Sequence, residues 1–240
     1  MKIAISKGIG TGKTAWKFPK YGEWIRNTNP QIETVELSGL TEKEALQALS
    51  SCDGLILTGG PDIDPKNIDP IYGQEARRNE CGIIDIERDR LEWSYVKLAI
   101  EKMIPIMGIC RGMQLLNAYC GGSLVVDIPT DISECRMHRK TDEDTQHEII
   151  FVRSSPLGMD GTKAFVNSAH HQSVAIVASP FDVIARSPDG VIEAMMRKNG
   201  AQMPPVLAVQ WHPERMPWDE AMSQTPATVF LSFIQERKDK

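Results

Sequence analysis

The chain is short of the features that would place it at a membrane or on a nucleic acid. No apolar run approaches the roughly 20 residues a membrane-spanning helix needs. Its 27 Lys and Arg are outnumbered by 32 Asp and Glu, and a net charge of −5 gives no electrostatic reason to expect nucleic acid or an anionic bilayer as a partner. Cysteine is scarce and scattered: five residues at irregular spacing make no disulfide framework, and without a C-x-x-C pair there is no zinc signature. No metal and no cofactor is therefore expected, and the compartment is expected to be reducing and cytoplasmic. The opening Met1-Lys2-Ile3-Ala4-Ile5-Ser6 is too short an apolar segment for a signal peptide and reads as a first strand. With neither an internal repeat nor a dividing linker, the chain is expected to form one domain over residues 1–240.

What is present centres on Ile104–Gly122. The apolar run from Ile104 to Ile109 reads as a buried strand, Leu115, Leu116 and Ala118 switch to helical spacing, and Gly121-Gly122 stops the helix. Cys110 stands at the joint between small neighbours, Gly108 and Gly112. A residue at such a turn projects above the sheet edge among the helix's first free N–H groups, which favour a thiolate. On this stretch alone a buried structural cysteine explains the pattern equally well.

The remaining elements are expected to alternate strand and helix. Thr34–Leu37 and Asp53–Thr58 read as strands, Thr41–Glu44 opens a helix with a capping box, and Ile86–Lys102 reads as an amphipathic helix with Leu91, Tyr95 and Leu98 on its apolar face. Gly8–Thr14 imitates a phosphate-binding loop, but Lys7 stands where the motif's first Gly belongs, so nucleotide binding is not expected. The long Gly, Pro and Asp-rich loop after Gly60, to about Ile83, has the length of a segment that covers a site. Asp131–Glu148, with His138 and His147, reads as a solvated loop. Short strands follow at Glu148–Val152, Ala164–Val166, Val174–Ala178, Val183–Arg186 and Val191–Met195; Val206–Trp211 is a further apolar strand, and Asp219–Gln235 a closing helix.

A thiolate nucleophile needs a base, and the base needs an orienting group. His212-Pro213-Glu214 offers both, since residues i and i+2 of an extended segment point the same way. The developing oxyanion of acyl chemistry needs N–H donors. The turn aims that of Arg111, and Gly60, at the end of a neighbouring strand, can supply a second.

Gly108-Ile109-Cys110-Arg111-Gly112-Met113-Gln114, Gly59-Gly60-Pro61-Asp62-Ile63-Asp64-Pro65, Asn167-Ser168-Ala169-His170-His171-Gln172, Ser187-Pro188-Asp189-Gly190 with Glu193, and Gln210-Trp211-His212-Pro213-Glu214 together resemble the class I glutamine amidotransferase-like superfamily, most closely its gamma-glutamyl-gamma-aminobutyrate hydrolase branch, peptidase family C26. The resemblance runs from about Gly54 to Phe233 and is weak before it. It implies a flavodoxin-like α/β fold, a three-layer sandwich with a mainly parallel central sheet. It also implies Cys110 as nucleophile, His212 as base and Glu214 as its orienter. Gln114 and the loop carrying Asn167, Ser168, His170 and His171 would bind substrate. The implied substrate is a small gamma-glutamyl amide, a homodimer fits the family, and polyamine catabolism is the implied setting. A glutaminase subunit feeding ammonia to a synthetase is the alternative, disfavoured by Cys-Arg-Gly in place of Cys-Leu-Gly or Cys-Tyr-Gly. A binding protein that lost catalysis is disfavoured by the intact Cys110, His212 and Glu214.

Overall fold

A computed structural model describes residues 1–7, 21–68, 73–140 and 143–239. The glycine-rich Gly8–Thr14 segment lies outside the described residues. The sheet runs in the order β2 (Glu33–Glu36), β1 (Lys2–Ile5), β3 (Gly54–Leu57), β4 (Ile106–Ile109), β11 (Val206–Val209), β10 (Ile192–Arg197), β9 (Phe181–Arg186), β6 (Thr145–Phe151) and β7 (Lys163–Ser168). From β2 to β11 every pairing is parallel, and from β11 to β7 every pairing is antiparallel. Two short strands, β5 (Leu124–Val125) and β8 (Ser173–Val174), pair with each other, and β8 joins the edge of β10. The expected parallel arrangement thus holds for the half that carries Cys110, where β3, β4 and β11 are buried along their whole length.

Alternation along these strands sends successive side chains to opposite faces, which makes two cores and three layers. Ile3, Ile5, Ile56, Met107 and Ile109 pack on the side of α1 (Tyr21–Thr28) and α6 (Ala221–Lys238), with Trp24, Ile25, Phe230 and Ile234. Ala4, Leu55, Leu57, Ile106 and Ala208 face α2 (Glu42–Ser50), α3 (Ile86–Glu101) and α4 (Arg111–Tyr119), with Leu49, Val96 and Leu116. One further turn of helix, α5 (Ile128–Asp131), follows β5. None of the helices among the described residues is long and apolar enough to cross a membrane.

Local chemistry explains several boundaries. Thr41 caps α2 through the expected box: its Oγ1 accepts from Glu44 N while the Glu44 carboxylate accepts from Thr41 N at 2.9 Å. Pro226 inside α6 has no N–H for the Met222 carbonyl, and the Trp211 indole donates to that carbonyl instead at 3.1 Å. A helix defect is thereby used to fasten the segment that carries His212.

Two expectations fail. The polar stretch Asp131–Glu148 is not a solvated loop, because β6 begins at Thr145 and buries Thr145, His147, Ile149 and Phe151 on alternate positions; His138 is buried as well. In α3 the buried face includes Arg88, Asp89 and Glu92, which helical periodicity alone assigns to solvent.

Candidate active site

Cys110 follows β4 directly and is still held by the sheet, its N–H donating to the Val209 carbonyl at 2.8 Å. Its backbone then turns to φ 51°, ψ −107° and starts α4. Such a conformation in a residue with a Cβ costs about 1–3 kcal/mol and persists only where both flanks are fixed. Here the second flank is the helix, whose Met113 and Gln114 N–H groups donate to the Cys110 carbonyl at 3.0 and 3.2 Å. The helix can approach so closely because residue 112 is glycine: a Cβ there would lie 2.2 Å from the Leu57 carbonyl oxygen.

His212 arrives from β11. The strand ends at Val209, short of the expected Trp211, and the histidine caps a 3-10 turn at Pro213–Arg215. The turn, rather than the expected extended i, i+2 alignment, curls the Glu214 carboxylate back onto the ring, with Oε1 2.7 Å from Nδ1. Three contacts hold the turn: the Trp218 indole donates to Glu214 O (3.2 Å), Ser223 Oγ donates to Pro213 O (2.7 Å), and the Trp24 indole donates to Ser223 Oγ (3.1 Å). The Cys110 thiol neighbours the imidazole and favours its charged form. Burial and the nearby Arg215 guanidinium oppose the imidazolium, but Glu214 and Cys110 outweigh them and hold the ring up at about 9. Opposite it, a Cβ on Gly59 would meet His212 Cε1 at 2.6 Å, so only glycine leaves the ring its place.

Behind Gly59-Gly60 lies a buried charge cluster that the sequence reading did not foresee. Arg88 pairs with Glu92 at 2.9 Å, and Arg111 pairs with both Asp89 and Glu92. Asp89 also accepts from Asp64 N (2.9 Å) and Asn67 Nδ2 (3.0 Å), tying down the start of the loop after Gly60. Arg88 Nη2 donates to the carbonyls of Thr58 and Gly59 at 3.1 and 2.9 Å. No peptide bond among the described residues is cis, and across a trans peptide the carbonyl and the following N–H point in opposite directions. With Gly59 O turned toward Arg88, the Gly60 N–H faces away from it. By the same reasoning Cys110 O points into α4 and the Arg111 N–H points back out of the helix start.

The residues expected to line a substrate pocket meet different fates. Gln114 is buried, its Nε2 donating to Gln172 O (2.8 Å) and Gln210 Oε1 (3.2 Å). Asn167 clamps the His212 backbone, Oδ1 accepting from His212 N and Nδ2 donating to His212 O, both at 3.0 Å, so its amide is consumed in placing the histidine. Ser168 is fully buried and donates to His138 O at 2.8 Å. His170 is buried, with Nδ1 on Gln172 O at 2.9 Å. Only His171 stays near the surface, between Asp62 (2.8 Å) and Asp127 (3.0 Å). The Asp62 hydrogen bond, with that of Asp127, holds its imidazole above the usual histidine range despite burial. Since Asp62 also accepts from Gly82 N at 2.6 Å, His171 links both ends of the loop after Gly60 to the turn after β7. Beyond this group, Tyr21 was missed; its hydroxyl oxygen accepts from Gly59 N at 2.9 Å.

Comparison with known proteins gives the family and the fold. The family model described as Peptidase C26 matches residues 21–214. The chain is 38% identical to YvdE of Lactococcus lactis, a protein described as glutamine amidotransferase-like, over 69% of this chain and 67% of that one. It is 33% identical to the gamma-glutamyl-gamma-aminobutyrate hydrolase PuuD of Escherichia coli K12, over 78% of this chain and 73% of that one. Among solved structures, the glutaminase domain of Trypanosoma brucei CTPS with bound acivicin superposes with a TM-score of 0.60 at 17% identity, covering 100% of this chain and 94% of that one. At that identity the likeness speaks to the fold, the class I glutamine amidotransferase-like α/β sandwich.

Proposed function

The chain belongs to the peptidase C26 family, the glutamine amidotransferase-like hydrolases, and from that premise we propose that it hydrolyses a gamma-glutamyl amide through a thioester on Cys110. The observation that carries the reading is a thiol on a positive-φ elbow beside an imidazole whose Nδ1 is held by a buried carboxylate. An imidazolium held up by Glu214 and Cys110 is the partner a thiolate nucleophile needs.

In the first half-reaction Cys110 Sγ attacks the gamma carbonyl carbon, a C–S bond forms, and the oxyanion takes hydrogen bonds from the Arg111 and Gly60 N–H groups. His212 gives its proton to the departing nitrogen, the C–N bond breaks, and the amine leaves. In the second, His212 takes a proton from water as the oxygen attacks the thioester carbon. The C–S bond then breaks, glutamate is released, and the thiolate is restored with the imidazolium beside it. Glu214 fixes the tautomer throughout. Each oxyanion donor is worth about 3–4 kcal/mol of barrier.

The substrate is read as a substituted gamma-glutamyl amide, gamma-glutamyl-gamma-aminobutyrate or a related gamma-glutamyl amine. The relative PuuD carries that hydrolase name, and the described part of the loop after Gly60, pinned by Asp62, Asp64 and His171, is read as the side on which an amine substituent would lie. The test is a panel of gamma-glutamyl amides assayed with the isolated chain. Substituted amides are expected to exceed glutamine in kcat/KM by at least about tenfold, which needs only about 1.4 kcal/mol of differential transition-state binding. A preference for glutamine, or activity only with a synthetase added, would replace this reading with that of an ammonia-supplying glutaminase.

A further inference from the structure

Three of the chain's five histidines converge on one buried carboxylate. His138, His147, His170 and Glu193 each offer one ligand atom, and the four atoms lie within 4.8 Å of one another. His138 Nδ1, His147 Nε2 and His170 Nε2 stand 3.7, 3.4 and 3.8 Å from Glu193 Oε1. None of these nitrogens, and neither Glu193 oxygen, has a hydrogen-bond partner among the described residues, although all four side chains are almost wholly buried.

The outer nitrogens explain what the inner ones carry. His147 Nδ1 meets Glu148 O at 3.2 Å and His170 Nδ1 meets Gln172 O at 2.9 Å. A carbonyl only accepts, so both Nδ1 atoms bear the proton and both inner nitrogens present lone pairs in the neutral ring. His138 Nε2 meets the Asp189 carboxylate at 3.0 Å, which fixes its tautomer in the same sense. Three lone pairs thus face a carboxylate, and a single proton on Glu193 could serve only one of them. Buried polar atoms without partners are costly, and four converging on one point call for a shared cation.

We propose that His138, His147, His170 and Glu193 form a closed binding site for a first-row divalent cation, Zn2+ foremost. Three imidazoles and a carboxylate are ligands zinc accepts, and four protein ligands with no open position make a structural rather than a catalytic site. Geometry allows it. Four atoms within 4.8 Å of one another share a point no more than about 3 Å from each, and inward movement of under about 1 Å reaches the roughly 2.0–2.1 Å of zinc bonds. The surroundings match as well, since each ring gives its other N–H to a carboxylate or carbonyl, the arrangement that orients metal-bound histidines. Glu193 is aimed inward by irregular pairing of β10 with β9, whose register shifts on both sides of Ala194. A surface groove of about 520 Å3, lined by Arg136, Met137, Lys140 and residues 143–147, borders the cluster at His147. The ion would tie the segment before β6, β6 itself, the turn after β7 and β10 to one point, and that turn carries the Gln172 carbonyl on which Gln114 rests.

The experiment uses the full chain, stripped with a chelator and titrated with Zn2+ or Co2+ alone. One ion per chain is expected by elemental analysis, with the intense visible absorption of four-coordinate Co2+ and a higher melting temperature on loading. His147→Ala and Glu193→Gln should each weaken binding at least about 100-fold, and Asp189→Asn, which touches only the outer nitrogen of His138, about 10–100-fold. Cys110→Ser should bind as the wild type does, because the thiol is not a ligand. Failure of the wild type to take up one equivalent at saturating Zn2+, unchanged affinity in Glu193→Gln, or loss of binding in Cys110→Ser would each overturn the proposal. None of these readouts depends on the hydrolase activity.

Discussion

Behind Gly59-Gly60, Arg88, Asp89, Glu92 and Arg111 form a buried cluster in which every charge has an opposite neighbour, whereas in the group of His138, His147, His170 and Glu193 lone pairs face lone pairs. Both hold backbone that the site depends on. The first holds the Thr58 and Gly59 carbonyls; the second holds the turn whose Gln172 carbonyl anchors Gln114. Burial demands compensation in both cases, and the difference lies in where it comes from. One cluster finds it within the chain, and the other has only acceptors to offer.

The largest effect is expected between the two clusters, at the thiol itself. Cys110→Ala leaves every pairing in both groups intact, so turnover should fall by at least about 10⁴-fold while the denaturation midpoint stays near that of the wild type. Steady-state assays and urea titration check this together. In the paired cluster, Arg111→Met strands Asp89 without a cation and leaves Glu92 to Arg88 alone. A loss of about 3–5 kcal/mol in folding stability is expected by urea denaturation, and a loss below about 1 kcal/mol would show the cluster is not compensated as described.

The third change is electrostatic. His212 is held up at about 9, so kcat/KM should fall as pH rises through that value and the proton for the leaving amine is lost. Glu214→Gln removes a negative charge that favours the imidazolium, leaving burial and Arg215 to push the other way. The alkaline limb of the pH profile should therefore move down by about one unit or more; a limb that stays in place would remove Glu214 from the account. The smallest effect is expected in the unpaired cluster. Glu193→Gln brings an NH2 donor to three waiting lone pairs, so the metal-free chain should gain about 1 kcal/mol, opposite in sign to Arg111→Met. Destabilisation of the metal-free chain by that substitution would break the contrast.

The clusters also show what the sequence could and could not reveal. Cys110, His212 and Glu214 are legible because each belongs to a short segment whose local pattern carries its chemistry. Even there the reason for His212 meeting Glu214 was misjudged, since a 3-10 turn rather than an extended strand brings them together. The Asn167 clamp was illegible because it spans 45 residues and serves a backbone, which no side-chain pattern announces. Arg88, Asp89 and Glu92 read as solvated because periodicity counts charge as polar; their burial depends on Arg111, which arrives from the following helix. His147 could have been found, since Thr145, His147, Ile149 and Phe151 alternate as an inward row. Its loss followed from placing the strand's start at Glu148. Glu193 could be singled out but not aimed, because its direction follows from a register shift that is a property of the paired strands.

The most direct test of the central claim is to trap the acyl intermediate. The chain is mixed with a gamma-glutamyl amide, quenched in acid within the first turnovers and analysed by intact mass and peptide mapping. The account predicts a mass gain of one glutamyl acyl group on the peptide carrying Cys110, sensitive to hydroxylamine and absent in Cys110→Ala. Turnover with no adduct on that peptide, continuing in Cys110→Ala, would contradict it.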